Sequence, residues 1–192
     1  MVRSSNNDLL RLNSSYKAMK KILVLTPLIL LFVLCVFLLI YLLAGKDPNK
    51  PPSALLHKDI PYFKTNSLYN SKEIIQTKDI KKKKVLINFF ASWCSPCKIE
   101  HPLFFEIKKK FPELYLLGFN HKDKLLDAKK YLEEDGDPYD FIGLDSEGLV
   151  ALEFGVFGLP ETFLINEDGK IIYKIMGPIT KDILKNEIEP LL

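Results

Sequence analysis

The longest apolar segment of the chain lies near its start. Residues 22–44 carry no charged side chain. At about 1.5 Å of rise per residue, a helix over this segment would cross the roughly 30 Å hydrocarbon core of a bilayer. A cleaved signal peptide usually has a shorter apolar region, of about 7 to 15 residues, and a small-residue cleavage site. The sequence Leu42-Leu43-Ala44 fits such a site poorly, so the pattern predicts a retained transmembrane anchor over residues 22–44.

After this segment, the pattern changes to short elements. Residues 45–52, GKDPNKPP, predict an extended proline-rich linker, and residues 53–192 predict one folded domain. Residues 84–90, KVLINFF, form an apolar run that is too short for a helix and fits a strand buried on both faces. Apolar side chains then recur every four residues over 95–110, which predicts a helix. Pro102 falls inside this helix and is expected to kink it.

The remaining segments continue an alternation of strands and helices. Residues 114–119 predict a second buried strand, and residues 123–134 predict an amphipathic helix. Residues 162–165 and 170–175 flank a polar turn, which predicts an antiparallel hairpin, and residues 180–189 predict a closing helix. This order indicates an α/β domain with a mixed central sheet flanked by helices.

Basic side chains are concentrated before the predicted anchor. Residues 1–21 contain five basic residues and one acid. Because basic flanks tend to stay in the cytoplasm, residues 1–21 are predicted to be a cytoplasmic tail and the folded domain to be exported. Of the 27 basic and 24 acidic residues of the chain, 22 and 23 remain after this tail, a net charge of −1. A nearly neutral domain gives no support for nucleic-acid binding, which requires a basic face.

Two of the three cysteines are placed for redox chemistry. Cys94 and Cys97 form a C-x-x-C pair at the predicted start of the helix over 95–110, whereas Cys35 lies in the apolar segment. The unpaired N–H groups and the positive end of the helix dipole favour an anion on the first cysteine. Cys94 is therefore the predicted nucleophilic thiolate. Cys97 is predicted to attack the mixed disulfide formed at Cys94 and to release the product.

Two other interpretations of this pair remain open. Zinc could be held by Cys94, Cys97, His101 and His121, although the sequence has no second C-x-x-C and no metal site is expected. The pair could also be an inert structural disulfide, but it would close a loop too short to add much stability. Haem ligation has only a weak signal, because the three histidines of the chain are isolated in the sequence.

The segment around the pair resembles the active site of the thioredoxin superfamily. The match comprises residues 89–97, FFASWCSPC, with a tryptophan directly before the first cysteine. Residues 158–160, GLP, come before a predicted strand and resemble the cis-proline loop of that superfamily. The resemblance implies a thioredoxin-like fold in which Pro160 faces the dithiol. It also implies that Trp93, Leu159 and Pro160 contact the substrate, Leu159 through its backbone.

A narrower similarity covers most of the domain. Residues 53–63, 97–102, 128–148 and 155–177 resemble the CcmG/DsbE family, which consists of anchored periplasmic thioredoxin-like proteins of cytochrome c maturation. The resemblance implies a protein-disulfide reductase with a redox-active Cys94–Cys97 disulfide and no other cofactor. It implies a single span in a bacterial inner membrane, with the C-terminal domain in the periplasm. The implied partners are apocytochrome c, haem-ligation proteins and a membrane thiol transporter that supplies electrons.

The group that moves the proton is left open by the sequence. Asn88 stands where thioredoxins carry a buried aspartate, a difference that the CcmG/DsbE pattern shares. Glu161 and Asp145 are the candidate proton-transfer groups, with Glu100 as a third. Each of these acids could equally be a solvated surface group.

Three other functions are compatible with the sequence. One is an anchored TlpA-like reductase that acts on copper-site cysteines during oxidase assembly. Another is a periplasmic oxidant, but such enzymes usually carry a large helical insertion for which this domain has little space. The third is a non-enzymatic module that docks apocytochrome through the loop at Leu159 and Pro160. A fold shared by oxidants, reductants and isomerases does not itself decide among them.

Overall fold

The computed structural model describes residues 23, 25–41 and 55–192, which fall into two units, one within Met1–Asp47 and one within Pro48–Leu192. In the first unit, residues 23 and 25–41 form helix α1, and their side chains are exposed. No helix in the described ranges is both long and apolar enough to cross a membrane. The predicted tail (1–21), the predicted linker (45–52) and both ends of the predicted anchor lie outside the described residues.

A five-stranded mixed sheet forms the centre of the second unit. Its strands are β3 (Val85–Phe90), β4 (Tyr115–His121), β5 (Phe141–Asp145), β6 (Glu161–Ile165) and β7 (Ile171–Met176). Their order across the sheet is β5-β4-β3-β6-β7. Strands β3, β4 and β5 run parallel, whereas β6 is antiparallel to both β3 and β7. The predicted α/β class with a mixed sheet is confirmed, and so is the predicted hairpin of β6 and β7.

Helices connect the parallel strands, as the alternating pattern predicts. Helix α2 (Ser95–Lys110) follows β3, helix α3 (Leu125–Asp135) follows β4, and the short helix α4 (Leu149–Glu153) follows β5. Pro102 lies inside α2. The sequence patterns did not predict β5 or α4.

Two peripheral regions differ from the predictions. A small hairpin, β1 (Lys64–Asn66) and β2 (Ile74–Gln76), precedes the main sheet and was not predicted, because three-residue strands show no periodicity. The closing helix predicted over 180–189 is helical in the structure but is not one regular α-helix. The chain instead forms α5 (Lys181–Ile183), a π-helical turn (Leu184–Ile188) and a 3-10 turn (Glu189–Leu191). Pro190 has no N–H to continue the α-helical hydrogen bonds, which limits regular helix at this end.

Strand β3 is buried along its whole length because it is the central strand and both of its faces are covered. Successive side chains point to opposite faces. Ile87 and Phe89 therefore enter one core, together with Phe119. Leu86 enters the core on the other face, and Phe90 packs in the cluster that contains the two cysteines. The dithiol thus comes shortly after a strand that is buried along its whole length.

The first described residues of the domain lie at the opposite end of β3 from the dithiol. The His57 N–H donates to the Ile171 carbonyl (2.7 Å), and the Ile60 N–H donates to the Gly169 carbonyl (3.0 Å). Both contacts lie where β7 begins. Val85, the first residue of β3, pairs with Ile165 at this same end of the sheet.

Candidate active site

Cys94 and Cys97 form a disulfide at the N-terminus of α2, with their Cα atoms 5.3 Å apart. Cys94 is the N-cap residue of the helix, and its Sγ accepts a hydrogen bond from the Cys97 N–H (3.2 Å). Both cysteines are buried. The sequence prediction of a dithiol at a helix start is therefore confirmed. After reduction, the same N–H group and the helix dipole would stabilise a Cys94 thiolate.

Hydrogen bonds to Asp123 fix the loop before Cys94. Asp123 was not among the predicted site residues. The Asp123 carboxylate accepts hydrogen bonds from the Ser92 N–H (2.6 Å), the Ser92 hydroxyl (2.8 Å) and the Asn120 side-chain amide (3.0 Å). The next residue, Trp93, donates its ring N–H to the Lys122 carbonyl (3.1 Å) while 61% of the residue stays exposed. One edge of the indole is thus fixed and the rest remains available for contact with a substrate.

The peptide bond between Leu159 and Pro160 is cis, as the resemblance implies. Pro160 comes directly before β6, whose first residue, Glu161, pairs with Phe89 near the end of β3. This pairing places the cis-proline at the same edge of the sheet as the dithiol. Leu159 packs against the cluster that contains Cys94 and Cys97. The structure thus brings Trp93, Leu159 and Pro160 to the disulfide end of the domain, and their contacts with a substrate stay a prediction.

Glu100 is a buried acid on α2, the helix that begins at the two cysteines. It lies one helical turn after Cys97, it is only 1% exposed, and residues three apart are neighbours on a helix surface. Its carboxylate accepts hydrogen bonds from the Asn88 side-chain amide (2.9 Å) and the Ile179 N–H (2.7 Å). Burial raises the pKa of Glu100 to about 8, although these two hydrogen bonds act in the opposite direction. Glu100 can therefore exchange a proton near neutral pH.

Asn88 connects Glu100 to a wider buried network. Its amide nitrogen also donates to the Thr162 hydroxyl (3.0 Å), and its oxygen accepts from the Tyr139 hydroxyl (2.8 Å). Burial, with the charge of Glu100 as a second cause, raises the pKa of Tyr139 well above its usual value, so Tyr139 stays a hydrogen-bond donor. The sequence indicated that Asn88 replaces a carboxylate of the sheet. The structure shows that the buried carboxyl comes instead from the adjacent helix, at Glu100.

Asp145 and Glu161 are bound to other groups. Asp145 lies 2.8 Å from His121 Nδ1 and accepts hydrogen bonds from the Val150 and Ala151 N–H groups (2.9 and 3.1 Å), so it satisfies two free N–H groups in the first turn of α4. Glu161 accepts from the N–H of Phe157 (2.7 Å) and pairs with Lys174 (2.9 Å). These partners favour positioning roles for both acids, whereas the surroundings of Glu100 favour proton transfer.

The zinc alternative does not agree with the structure. Cys94 and Cys97 are joined to each other. His101 Nε2 lies 2.9 Å from the Gly136 carbonyl oxygen, and His121 is paired with Asp145. No group of three or more ligating side chains within the described residues could hold a metal ion.

The raised pKa of Glu100 leads to a prediction about stability. Its ordinary value is 4.5 and its value in the folded protein is about 8. Between these two pH values the folded state binds a proton that the unfolded state has released, so stability falls as pH rises through this window. We expect Glu100→Gln to flatten this fall, because the amide does not titrate. Urea unfolding of both oxidised proteins at pH 5, 6.5 and 8 would measure it, and equal slopes for the two proteins would contradict the prediction.

The disulfide lies between the central strand and the helix that follows it, at the same edge of the sheet as a cis-proline. This arrangement is that of the thioredoxin-like thiol-disulfide oxidoreductases. Such proteins use a pair of their own cysteines rather than an external cofactor. The family model "Redoxin" matches residues 57–191.

Relatives and solved structures agree with this class. The thiol:disulfide interchange protein HelX of Rhodobacter capsulatus is 38% identical over 147 residues, which cover 76% of this chain and 82% of HelX. The thiol:disulfide interchange protein DsbE of Escherichia coli strain K12 is 35% identical over 177 residues, which cover 90% of this chain and 95% of DsbE. The crystal structure of the thioredoxin domain of a thiol-disulfide oxidoreductase from Bacteroides vulgatus aligns with a TM-score of 0.61 at 25% identity, over 71% of this chain and 96% of that one. The chain belongs to the Redoxin family and, within it, to the thiol:disulfide interchange proteins of the DsbE and HelX type.

Proposed function

We propose that this protein reduces disulfides in apocytochrome c, or in its maturation partners, so that haem can be attached. The observation that carries the thiol-disulfide chemistry is the Cys94–Cys97 disulfide at the start of α2. The choice of substrate is supported by the resemblance of residues 155–177 to the CcmG/DsbE family and by the relatives of DsbE type.

The proposed reaction moves two electrons and two protons from the dithiol to the substrate. The Cys94 thiolate attacks one sulfur of the substrate disulfide, which forms a mixed disulfide and releases the other substrate sulfur as a thiolate. Cys97 then loses its proton and attacks Cys94 Sγ, which forms the Cys94–Cys97 bond and releases the second substrate sulfur. Ionised Glu100, one turn after Cys97, accepts the Cys97 proton. Glu100 then gives up the Cys97 proton, and the solvent returns the proton that Cys94 released on ionising, so that both substrate thiolates are protonated.

The reductase is proposed to work in the periplasm, held to a bacterial inner membrane by an anchor over residues 22–44. The support is the uncharged run of the sequence and the basic residues before it. A membrane thiol transporter would return the Cys94–Cys97 disulfide to the reduced state.

Trapping in cells tests the substrate. In the full-length Cys97→Ser protein the mixed disulfide on Cys94 cannot be resolved, so substrates should stay covalently attached and can be identified by mass spectrometry. We expect apocytochromes c or haem-ligation proteins among the captured partners. The matched control, Cys94→Ser with Cys97→Ser, should capture none of them. Recovery of copper-site proteins instead would contradict the cytochrome c assignment and leave the thiol chemistry intact.

A further inference from the structure

The loop over residues 155–158 leads into the cis-proline and exposes a large apolar side chain. It joins α4 to the Leu159–Pro160 peptide bond and to β6. Phe157 is 85% exposed although it is aromatic. Gly155 has a positive φ of 59°, a conformation that favours glycine. Such a loop needs contacts from the rest of the domain to keep one conformation.

Those contacts come from a buried ion pair between Glu161 on β6 and Lys174 on β7. Lys174 Nζ lies 2.9 Å from Glu161 Oε2, and the two side chains are 8% and 1% exposed. Lys174 Nζ also donates to the Gly155 carbonyl (2.8 Å). On the other side of the pair, Glu161 Oε1 accepts from the N–H groups of Phe157 (2.7 Å) and Gly158 (3.3 Å). The two charges together hold the loop at three of its four residues.

The ammonium group of Lys174 also lies close to two aromatic rings. It is 5.7 Å from the ring centroid of exposed Phe157 and 5.0 Å from that of buried Phe163. A cation within about 6 Å of a ring centroid is attracted to the ring. Lys174 is therefore in contact with the backbone of the loop and near its exposed side chain.

A buried ion pair is a costly way to stabilise a fold. Removing two charges from water carries a large desolvation penalty, and well-packed apolar residues of similar volume often stabilise as well or better. Glu161 and Lys174 lie on neighbouring strands, and Phe163, which is opposite Lys174 in the register, belongs to the apolar core. The side-chain hydrogen bonds of Glu161 and Lys174 all end on the backbone of residues 155–158. This arrangement points to a role in positioning that loop.

We propose that Lys174 is a positioning residue for polypeptide substrates. Together with Glu161 it fixes residues 155–158, so that the Phe157 ring and the Leu159 backbone are presented beside Cys94 to an extended peptide. The partner is a polypeptide disulfide with an apolar side chain near one of its cysteines. A small disulfide without a peptide chain does not use this surface. The inference rests on the reductase activity proposed above.

The test compares polypeptide and small-molecule disulfides in the full-length protein. One substrate is a synthetic peptide with an oxidised C-x-x-C-H sequence, another is an unrelated cyclic disulfide peptide of equal length, and the third is bis(2-hydroxyethyl) disulfide, which has no peptide bond. We expect Lys174→Met to raise KM for both peptides by about tenfold, the effect of losing roughly one charge-assisted hydrogen bond, with kcat changed by less than about twofold. Lys174→Arg should restore most of the affinity, and Lys170→Met, at an exposed lysine of the same hairpin, should behave as the wild type.

A second variant separates positioning from folding. Lys174→Met leaves the buried Glu161 unpaired and could unfold the domain. The double variant Lys174→Met with Glu161→Gln removes both charges and keeps an oxygen for the Phe157 and Gly158 N–H groups. It should also raise KM for the peptides, and hydrogen exchange should show faster exchange at Phe157 and Gly158.

The outcomes distinguish this inference from the proposed function. A proportional loss of activity on bis(2-hydroxyethyl) disulfide and on both peptides, or an unchanged KM for the peptides in folded variants, would overturn the role of Lys174. A wild-type protein that reduces the unrelated peptide and leaves the C-x-x-C-H peptide oxidised would overturn the cytochrome c assignment. The role of Lys174 would then still be tested, by comparing wild-type and Lys174→Met protein on the unrelated peptide.

Discussion

Replacing Cys94 by serine is expected to abolish disulfide reduction, with turnover falling by about 10³-fold or more. Cys94 is the N-cap residue of α2 and receives the Cys97 N–H, so it is the sulfur that the helix start stabilises as a thiolate. A serine hydroxyl cannot form the mixed disulfide on which both steps depend. The measurement is the rate of reduction of a disulfide peptide by the pre-reduced protein.

The free cysteine of the described residues supplies a matched control. Cys35 in α1 is exposed and unpaired, so Cys35→Ser makes the same atomic change at a cysteine that is not part of the disulfide and should leave turnover at the wild-type rate. The Cys97→Ser protein should differ from both, because it can form one mixed disulfide but cannot release it. Turnover by Cys94→Ser close to that of Cys35→Ser would show that another group is the nucleophile.

Replacing Phe119 by alanine is expected to lower the free energy of unfolding by about 3–5 kcal/mol. Phe119 is fully buried on β4, and its ring lies 5.1 Å from the rings of both Phe63 and Phe89, measured between centroids. Removing the ring would leave a cavity between the sheet and the segment that carries Phe63. The rigid aromatic neighbours limit how far that cavity can collapse. Urea unfolding of the oxidised protein measures the loss.

Phe157→Ala is the control for this change. The same side chain is removed, but Phe157 is 85% exposed, so the free energy of unfolding should change by no more than about 0.5 kcal/mol. Similar losses for Phe119→Ala and Phe157→Ala would mean that the aromatic cluster around Phe119 is not the main source of core stability.

The parts of the fold that the sequence predicted are those governed by local patterns. The apolar run of β3, the four-residue repeat of α2 and the turn between β6 and β7 each appear within one short segment. The dithiol was predictable because C-x-x-C and the start of a helix adjoin each other in the chain. The hairpin of β1 and β2 was missed because three residues cannot establish a period.

The parts of the site that the sequence missed depend on contacts between distant segments. Asp123 holds Ser92 across 31 positions of the chain, and neither residue carries a local signal of that contact. Glu100 becomes a proton-exchanging group only because folding buries it against Asn88 and Ile179. Lys174 is a polar residue in a strand, a pattern typical of a solvent-facing position, yet the fold encloses it.

The placement of the first described residues of the domain at the far end of β3 affects what partners the disulfide can reach. Strand β3 spans six residues, or about 20 Å at 3.3 Å per residue, and it separates the contacts of His57 and Ile60 from the dithiol. A polypeptide that docks at Trp93 and Pro160 therefore approaches the domain from the side away from those contacts. With the proposed membrane anchor over residues 22–44, a longer or shorter segment between anchor and domain would change how far the disulfide reaches from the membrane and would leave the surface that receives the substrate unchanged.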